Sequence, residues 1–585
     1  MSPIAAQNVD LGYTSESSQT TPNLSVGTYH GANTQERSRD LWTPLHAVSC
    51  DGNLDVVRLL LKRGADLEAQ LDDHSTPLHI AAANGEVAVV QSLLDHGARI
   101  QARCKDLWTP LHAASWSRDP SVVRLLLERG ADLEAQSDDH STPLHVAAYY
   151  GKVATVRLLL DHGANIQARR KDLWTPLHAA SWRRNPGVVR LLLERGADPK
   201  AQSDDHSTPL YIAAENGKAV TVQLLLDHGA DIQARRKDLW TPLHAASWSV
   251  NPDVVRLLLE RGADIEAQSD SHNTPLYVAA ENGKVDAVRL LLDHGANIQA
   301  RRKDLWTPLH AASWSGDPNI VRLLLERGAD LEAQSVIRNT PLHVAAWSGK
   351  VAAVRLLLDQ GANIHALRKD RVTPLHFASW SGNPDVVGLI LEHGVDMEAR
   401  MHNDSTPLHI AAAKGKIAAV RLLLDHGANI HALRKDRATP LHCASWSRNT
   451  DVVRLLLERG AYLEARMNND NTPLHIAAAN GNVAAVRSLL DHGADIEACR
   501  RRLWTPLHAA SWNGNPEVVR LLLERGADPE AKDVEHITPL HLASGIGKFA
   551  AVQVLLEHGS MHVRTNDSQT PLRVMPCRQD IILTS

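Results

Sequence analysis

Leu107-Trp108-Thr109-Pro110-Leu111-His112-Ala113-Ala114-Ser115-Trp116 decides how this chain is read, because its Thr-Pro-Leu core returns every 33 residues without a slip. The threonine stands at 43, 76, 109, 142 and onward to 538, sixteen times in 585 residues. A period of that length, held without insertion, marks a stack of small units that each touch only their neighbours. Function in such a stack belongs to a surface and not to a pocket.

One unit, residues 106–138, shows what the period encodes. Thr109 is an N-cap and Pro110 a first-turn proline, and Leu111, Ala114 and Ser115 share one face of a short helix that the sequence ends near residues 117–118. Asp119-Pro120 repeats the cap and proline, and Val122, Val123, Leu125, Leu126 and Leu127 supply a broad apolar stripe for a second helix. Gly130 closes it, since a left-handed terminal residue costs least as glycine. The polar stretch 131–139 then turns and carries the chain to Thr142.

Helix, turn, helix and a projecting turn, headed by Thr-Pro-Leu-His-x-Ala-Ala, resembles the ankyrin repeat family. The resemblance covers about nine-tenths of the chain. It implies an all-α solenoid of about 16 helix-turn-helix units with projecting β-turn fingers, its first helices lining a concave face. Two positions depart from the family pattern. Leu107 or His140 stands where a glycine is usual before the Thr, and Glu134 or Gln167 stands where Asn often follows Gly-Ala-Asp-x.

The remaining segments are short. Residues 1–38 are rich in Ser, Thr, Asn, Gln and Gly and are read as a disordered polar tail. Residues 39–567 form the repeat array, and 568–585 read as a degenerate half repeat acting as a C-terminal cap, interrupted by Pro576. The net charge of -5 gives no overall field for nucleic acid. The five cysteines, Cys50, Cys104, Cys443, Cys499 and Cys577, lie far apart without a Cys-x-x-Cys pair, which reads as an intracellular, cytoplasmic protein without disulfide or zinc frame. No apolar run reaches the roughly 18 residues of a membrane span, so no direct membrane insertion is expected.

The full period is 66, because two kinds of unit alternate. Trp42, Trp108, Trp174, Trp240, Trp306 and Trp504 precede the Thr, and Trp116, Trp182, Trp248, Trp314, Trp380, Trp446 and Trp512 follow it by seven residues, with Trp347 the exception to the alternation. The first set reads as a hydrophobic staple against the fourth helical residue, where Ala113 accompanies Trp108 but Phe377 accompanies Val372. The second set shares a helical face with His112-type residues near the expected concave side, and reads equally as a row of partner anchors or as covers for the seams between units. Tyr149, Tyr150, Arg183, Arg184 and Arg448 join it as candidate protein-binding residues.

Charge alternates too: basic fingers (Arg169-Arg170-Lys171) follow acidic ones (Asp138-Asp139), which predicts ion pairs between tips and no continuous cationic stripe for nucleic acid. Fourteen of the 32 histidines follow Thr-Pro-Leu, and the resemblance implies that they brace the turn; Tyr211 and Tyr277 fill the same slot. No zinc-protease helix, phosphate loop, nucleophile elbow or Cys/His cluster is present, so neither catalysis nor a cofactor or metal site is expected. The sequence therefore points to a non-enzymatic scaffold or adaptor in signalling, a monomer binding a protein partner. The alternative is the sensor arm of a larger machine, such as a nucleotide-binding ATPase, whose effector domain 38 leading residues are too few to hold.

Overall fold

The computed structural model describes residues 42–117, 119–183, 185–447 and 449–558. Within them are 32 α-helices, one short 3-10 turn and no strand. The chain divides into two compact bodies, one through Ala197 and one from Asp198. Five helix pairs, from Pro44–Asp51 to Pro186–Glu194, make the first body, and eleven, from Pro209–Glu215 to Phe549–Glu557, make the second. The expected all-α helix-turn-helix solenoid is what the chain adopts. The tail 1–38 and the half repeat 568–585 lie outside the described residues.

In the unit at Thr109 the first helix is Pro110–Trp116, capped by Thr109 in extended conformation. The second is Pro120–Glu128, where the Asp119 carboxylate accepts from Ser121 N. Gly130 follows with φ 83. Leu111, Val122, Val123 and Leu126 are fully buried, each side chain contributing about 1.5–3 kcal/mol by leaving water.

The histidine after Thr-Pro-Leu makes two kinds of bond at once. The Thr109 amide donates to His112 Nδ1 at 3.2 Å, so the ring proton sits on Nε2, which donates to the carbonyl of Ser141 at 2.9 Å. The ring thus closes its own N-cap and ties it to the next unit. Tyr211 and Tyr277 brace differently. Their amides donate to the Thr hydroxyl, but their own hydroxyls accept from Arg236 Nη1 and Arg302 Nη1, both at 2.9 Å, on the following finger.

Alternation of the two unit types also has a structural purpose at the second helices. Units ending Glu-Arg-Gly alternate with units ending Asp-His-Gly, and the arginine of one reaches the aspartate of the unit before it: Arg129 to Asp95 at 3.0 Å, Arg327 to Asp293 at 2.8 Å, Arg459 to Asp425 at 2.7 Å. The two unexpected residues after Gly-Ala-Asp-x likewise reach across a unit. Glu134 accepts from Asn165 N at 2.7 Å, and Gln167 donates to Gly196 O at 3.2 Å.

Each finger is a hydrogen-bonded turn, with Leu107 N donating to Cys104 O at 2.9 Å and Cys104 N to Trp108 O at 3.0 Å. It needs a left-handed residue before its end, and the chain supplies Leu107 (φ 59) and His140 (φ 62) where glycine is usual. The turn survives that departure. Neighbouring fingers are joined by a main-chain bond, for example Lys105 N to Asp73 O at 2.8 Å and Lys237 N to Asp205 O at 3.0 Å. The finger at 499–504 differs, because Arg502 replaces the aspartate that elsewhere accepts from the amide two residues on, and Arg501–Leu503 closes as a 3-10 turn.

Candidate protein-interaction surface

The helix cap that fixes the stack also fixes where its tryptophans point. In every unit with Trp before the Thr, the ring lies on the capping histidine, from Trp42 on His46 at 6.1 Å to Trp306 on His310 at 5.6 Å between centroids. The ring thus meets the third helical residue, a contact that the staple reading, built on the fourth, did not name. Trp108 and Trp504 are buried, and Trp504 Nε1 donates to the buried Asp533 carboxylate at 3.1 Å. These are framework residues.

The second set, on the last turn of the first helix, divides by location. In the first body Trp116 and Trp182 are half-buried. Trp116 meets Tyr150 edge-on at 6.2 Å and packs on a small core of Cys104, Trp108 and Val146. Trp182 lies 6.0 Å from Trp174. Tyr149 and Tyr150 touch edge-on at 5.1 Å, and the exposed Arg183 guanidinium covers Tyr149 at 4.2 Å. Arg184 and Arg448 lie outside the described residues.

In the second body the same position is open. Trp248, Trp314, Trp347, Trp380 and Trp446 are 39, 43, 41, 45 and 62% exposed, on helices whose other apolar residues are mostly buried. Trp314 and Trp347 lie 5.2 Å apart, tilted by 58°, and Trp347 continues onto the half-buried Phe377 at 5.9 Å. Lys414 Nζ stands 3.5 Å over Trp380. An open cleft of about 670 Å³ is lined by Lys414, Gly415, Ser447 and Asn449 among others. Trp512 is half-buried, 6.1 Å from Trp504.

The tip ion pairs expected from the sequence are present at two of the acidic fingers: Arg170 to Asp139 at 3.1 Å, Lys171 to Asp138 at 3.4 Å and Arg236 to Asp205 at 3.4 Å. The arginine just before the lysine of the basic fingers is half-buried, and in several of them it rests on a ring or thiol of an adjacent first helix. Arg302 covers Tyr277 at 5.1 Å, Arg368 covers Phe377 at 5.3 Å, and Arg434 Nη1 reaches Cys443 Sγ at 3.8 Å. Reading Phe377 only as a staple partner missed this link between fingers and helices. Its signal was the arginine recurring every 66 residues.

Acid–base groups here serve structure. Burial holds the capping histidines, among them His112, His310 and His343, down to about 4. Burial likewise raises the Glu215 and Glu281 carboxyls, which occupy the Trp position in two units. Among the described residues no group of three or more His, Cys, Asp or Glu side chains is placed to hold a metal ion. Cys50, Cys104, Cys443 and Cys499 are free, and among the described residues no helix is long and apolar enough to cross a membrane.

Comparison with known proteins agrees with this geometry. The family described as Ankyrin repeats (3 copies) matches eight consecutive, partly overlapping stretches from residue 23 to residue 533, and Ankyrin repeats (many copies) matches 514–556. The crystal structure of the human ASB11 ankyrin repeat domain is 30% identical, with 38% of this chain and all of that chain covered at a TM-score of 0.36. No curated protein matches the chain. With the repeat matched over most of its length and the paired helices, caps and fingers in place, the chain belongs to the ankyrin repeat family.

Proposed function

We propose that this protein is a non-catalytic scaffold or adaptor that binds a protein partner on its first-helix ends and finger tips, with the second tryptophan set as anchors. Ankyrin repeats are in general protein-interaction modules, and the observation that carries the reading here is the row Trp248, Trp314, Trp347, Trp380 and Trp446. Large rings left to water at one repeated position gain most by burial against another surface, and such rings dominate the energetics of protein interfaces. In the first body Trp116 and Trp182 fill gaps within the fold instead, so the anchoring role falls chiefly on the second body.

The test replaces Trp314, Trp380 and Trp446 together by Ala in the full chain and compares proteins retained from native lysate, identified by mass spectrometry. Retention of a specific partner falls about tenfold or more, in line with the loss of central aromatic anchors, while the circular dichroism and thermal transition stay those of the parent. Unchanged retention, or loss of the fold itself, overturns the reading and returns these rings to seam packing.

A further inference from the structure

The alternation of finger charge stops partway along the chain. From residue 70 to residue 273 the six residues ahead of each Thr hold eight Lys and Arg against ten Asp and Glu, whereas in the seven fingers from 301 to 504 the count is fifteen against five. Where Asp138-Asp139 or Asp204-Asp205 stood, the finger at 334–339 has Val336-Ile337, exposed at 47 and 42%. Its flanking fingers keep their cations. Lys303, Arg338, Lys369, Arg371, Lys435 and Arg437 are all exposed, and none of them forms an ion pair among the described residues; the arginines of the row that do pair are the inner Arg302, Arg368 and Arg434 and, in its last finger, Arg501 and Arg502.

Backbone bonds set these tips at a fixed spacing: Val336 N to Asp304 O at 2.9 Å, Lys369 N to Ile337 O at 3.2 Å, His402 N to Asp370 O at 3.1 Å and Lys435 N to Asn403 O at 3.1 Å. The row is also continuous with the tryptophans, through Arg368 on Phe377, Phe377 beside Trp347 and Trp347 beside Trp314. Uncompensated cations held in a line, next to apolar side chains left in water, match a ligand with the opposite charge and apolar side chains of its own.

We propose that the finger row 301–504, with Trp314, Trp347 and Trp380 beside it, binds an acidic protein segment that carries apolar side chains between its carboxylates; this rests on the interaction-surface reading above. A nucleic-acid strand fits less well. Stacked bases require ring faces open to them, whereas Trp314 and Trp347 lean on each other at 58° and Lys414 covers Trp380. Val336, Ile337 and Leu367 among the tips would meet phosphates without gain.

Fluorescence anisotropy on the full chain tests this with a labelled synthetic peptide of about four Asp-Glu-Leu-Glu-Asp-Phe repeats, its Asn/Gln analogue, and oligothymidylate of similar length. The acidic peptide binds, weakens as salt rises, loses about tenfold or more with Lys369→Glu, Arg371→Glu, Lys435→Glu and Arg437→Glu combined, and loses under about twofold with Arg235→Glu and Lys237→Glu. Lys303→Glu with Arg338→Glu gives an independent reading if the fourfold variant folds poorly. No binding, or equal binding of the uncharged analogue, overturns the inference. If that analogue is released by Trp314→Ala and Trp380→Ala, the broader interaction reading survives. Tighter binding of oligothymidylate, lost in the same charge variant, overturns the inference in favour of nucleic acid. Acidic-peptide binding that ignores the tryptophan changes leaves the charged row standing and removes the anchors.

Discussion

His310 donates from Nε2 to the backbone carbonyl of Asn339 at 2.9 Å while its Nδ1 accepts from the Thr307 amide at 3.2 Å, so one neutral ring links a helix cap to the unit that follows. A proton added at Nδ1 would point a donor at a donor. The same ring recurs through the stack, which makes the whole array depend on histidines that stay neutral.

Acid should therefore begin to destabilise this protein as soon as pH falls below about 6.5, before the carboxylates titrate. Ten capping histidines, His79, His112, His145, His244, His310, His343, His376, His409, His442 and His475, are held by burial at about 4, against 6.5 when unfolded. Above 6.5 neither state takes the proton and stability is whole. Between 6.5 and 4 only the unfolded chain takes it, so each site loses about 1.4 kcal/mol per unit of pH as pH falls. Asp172, Glu215, Glu281 and Glu497, raised by burial, act in the opposite sense but are four against ten. Helical circular dichroism titrated from pH 7.5 downward should collapse before pH 4; a flat signal to that point contradicts the assignment.

Tyrosine can replace this histidine only where an arginine waits for its hydroxyl. Tyr277 accepts from Arg302, 25 residues on. The corresponding residue is Arg368 for His343 but Ser335 for His310. Both changes give up the histidine's bond to a backbone carbonyl, Val372 for His343 and Asn339 for His310, but only His310→Tyr also buries a hydroxyl with no arginine to meet, so it should cost about 1–3 kcal/mol more than His343→Tyr. Hydrogen exchange resolved by repeat distinguishes the two, since a long array need not unfold in one step.

The helices were legible in the sequence because their signals are local: a cap, a proline, an apolar face and a closing glycine recur in each unit, and Pro110–Trp116 and Pro120–Glu128 fall where they indicate. The bonds that join units were not. Arg327 and Asp293 stand 34 residues apart in different motifs, and nothing in either motif names the other until stacking sets them 2.8 Å apart. Exposure of the second tryptophan set was equally hidden. Trp116 and Trp314 occupy the same position in near-identical units, yet Trp116 packs with Tyr150 on the core of Cys104, Trp108 and Val146, while Trp314 meets the ring of Trp347 and stays 43% exposed.

Finger tips carry a removable strain. Leu239 sits at φ 63 and is 39% exposed, so its side chain gives little in return for a left-handed backbone that costs about 1–2 kcal/mol for an L residue. Leu239→Gly removes that cost and adds about 0.4–1 kcal/mol of unfolded-state entropy, leaving a net gain below about 1.5 kcal/mol. Gly262→Ala, at φ 83 with open space around a new Cβ, should lose stability through the backbone alone. Urea midpoints moving in opposite directions for the pair would bear this out, and a destabilised Leu239→Gly would contradict it.

One stitch in the second-helix row is missing and can be restored. Asp293 receives Arg327 and Asp425 receives Arg459, each 34 residues on, but the residue 34 beyond Asp359 is His393, whose Nδ1 is committed to Leu389 O at 2.8 Å. His393→Arg places a guanidinium where the other units hold theirs, at the C-terminal end of a helix that favours positive charge. The gain should be at most about 1 kcal/mol, because the existing pairs are some two-fifths exposed on each side and water screens them. Its signature is salt dependence: protection against exchange in the helices around residues 351–392 should rise in dilute buffer and return to the parent value near 1 M salt, where the Debye length falls to about 3 Å. A gain that persists in high salt would mean that the arginine stem packs on the neighbouring helix, and the missing ion pair would then not be what separates this unit from the rest.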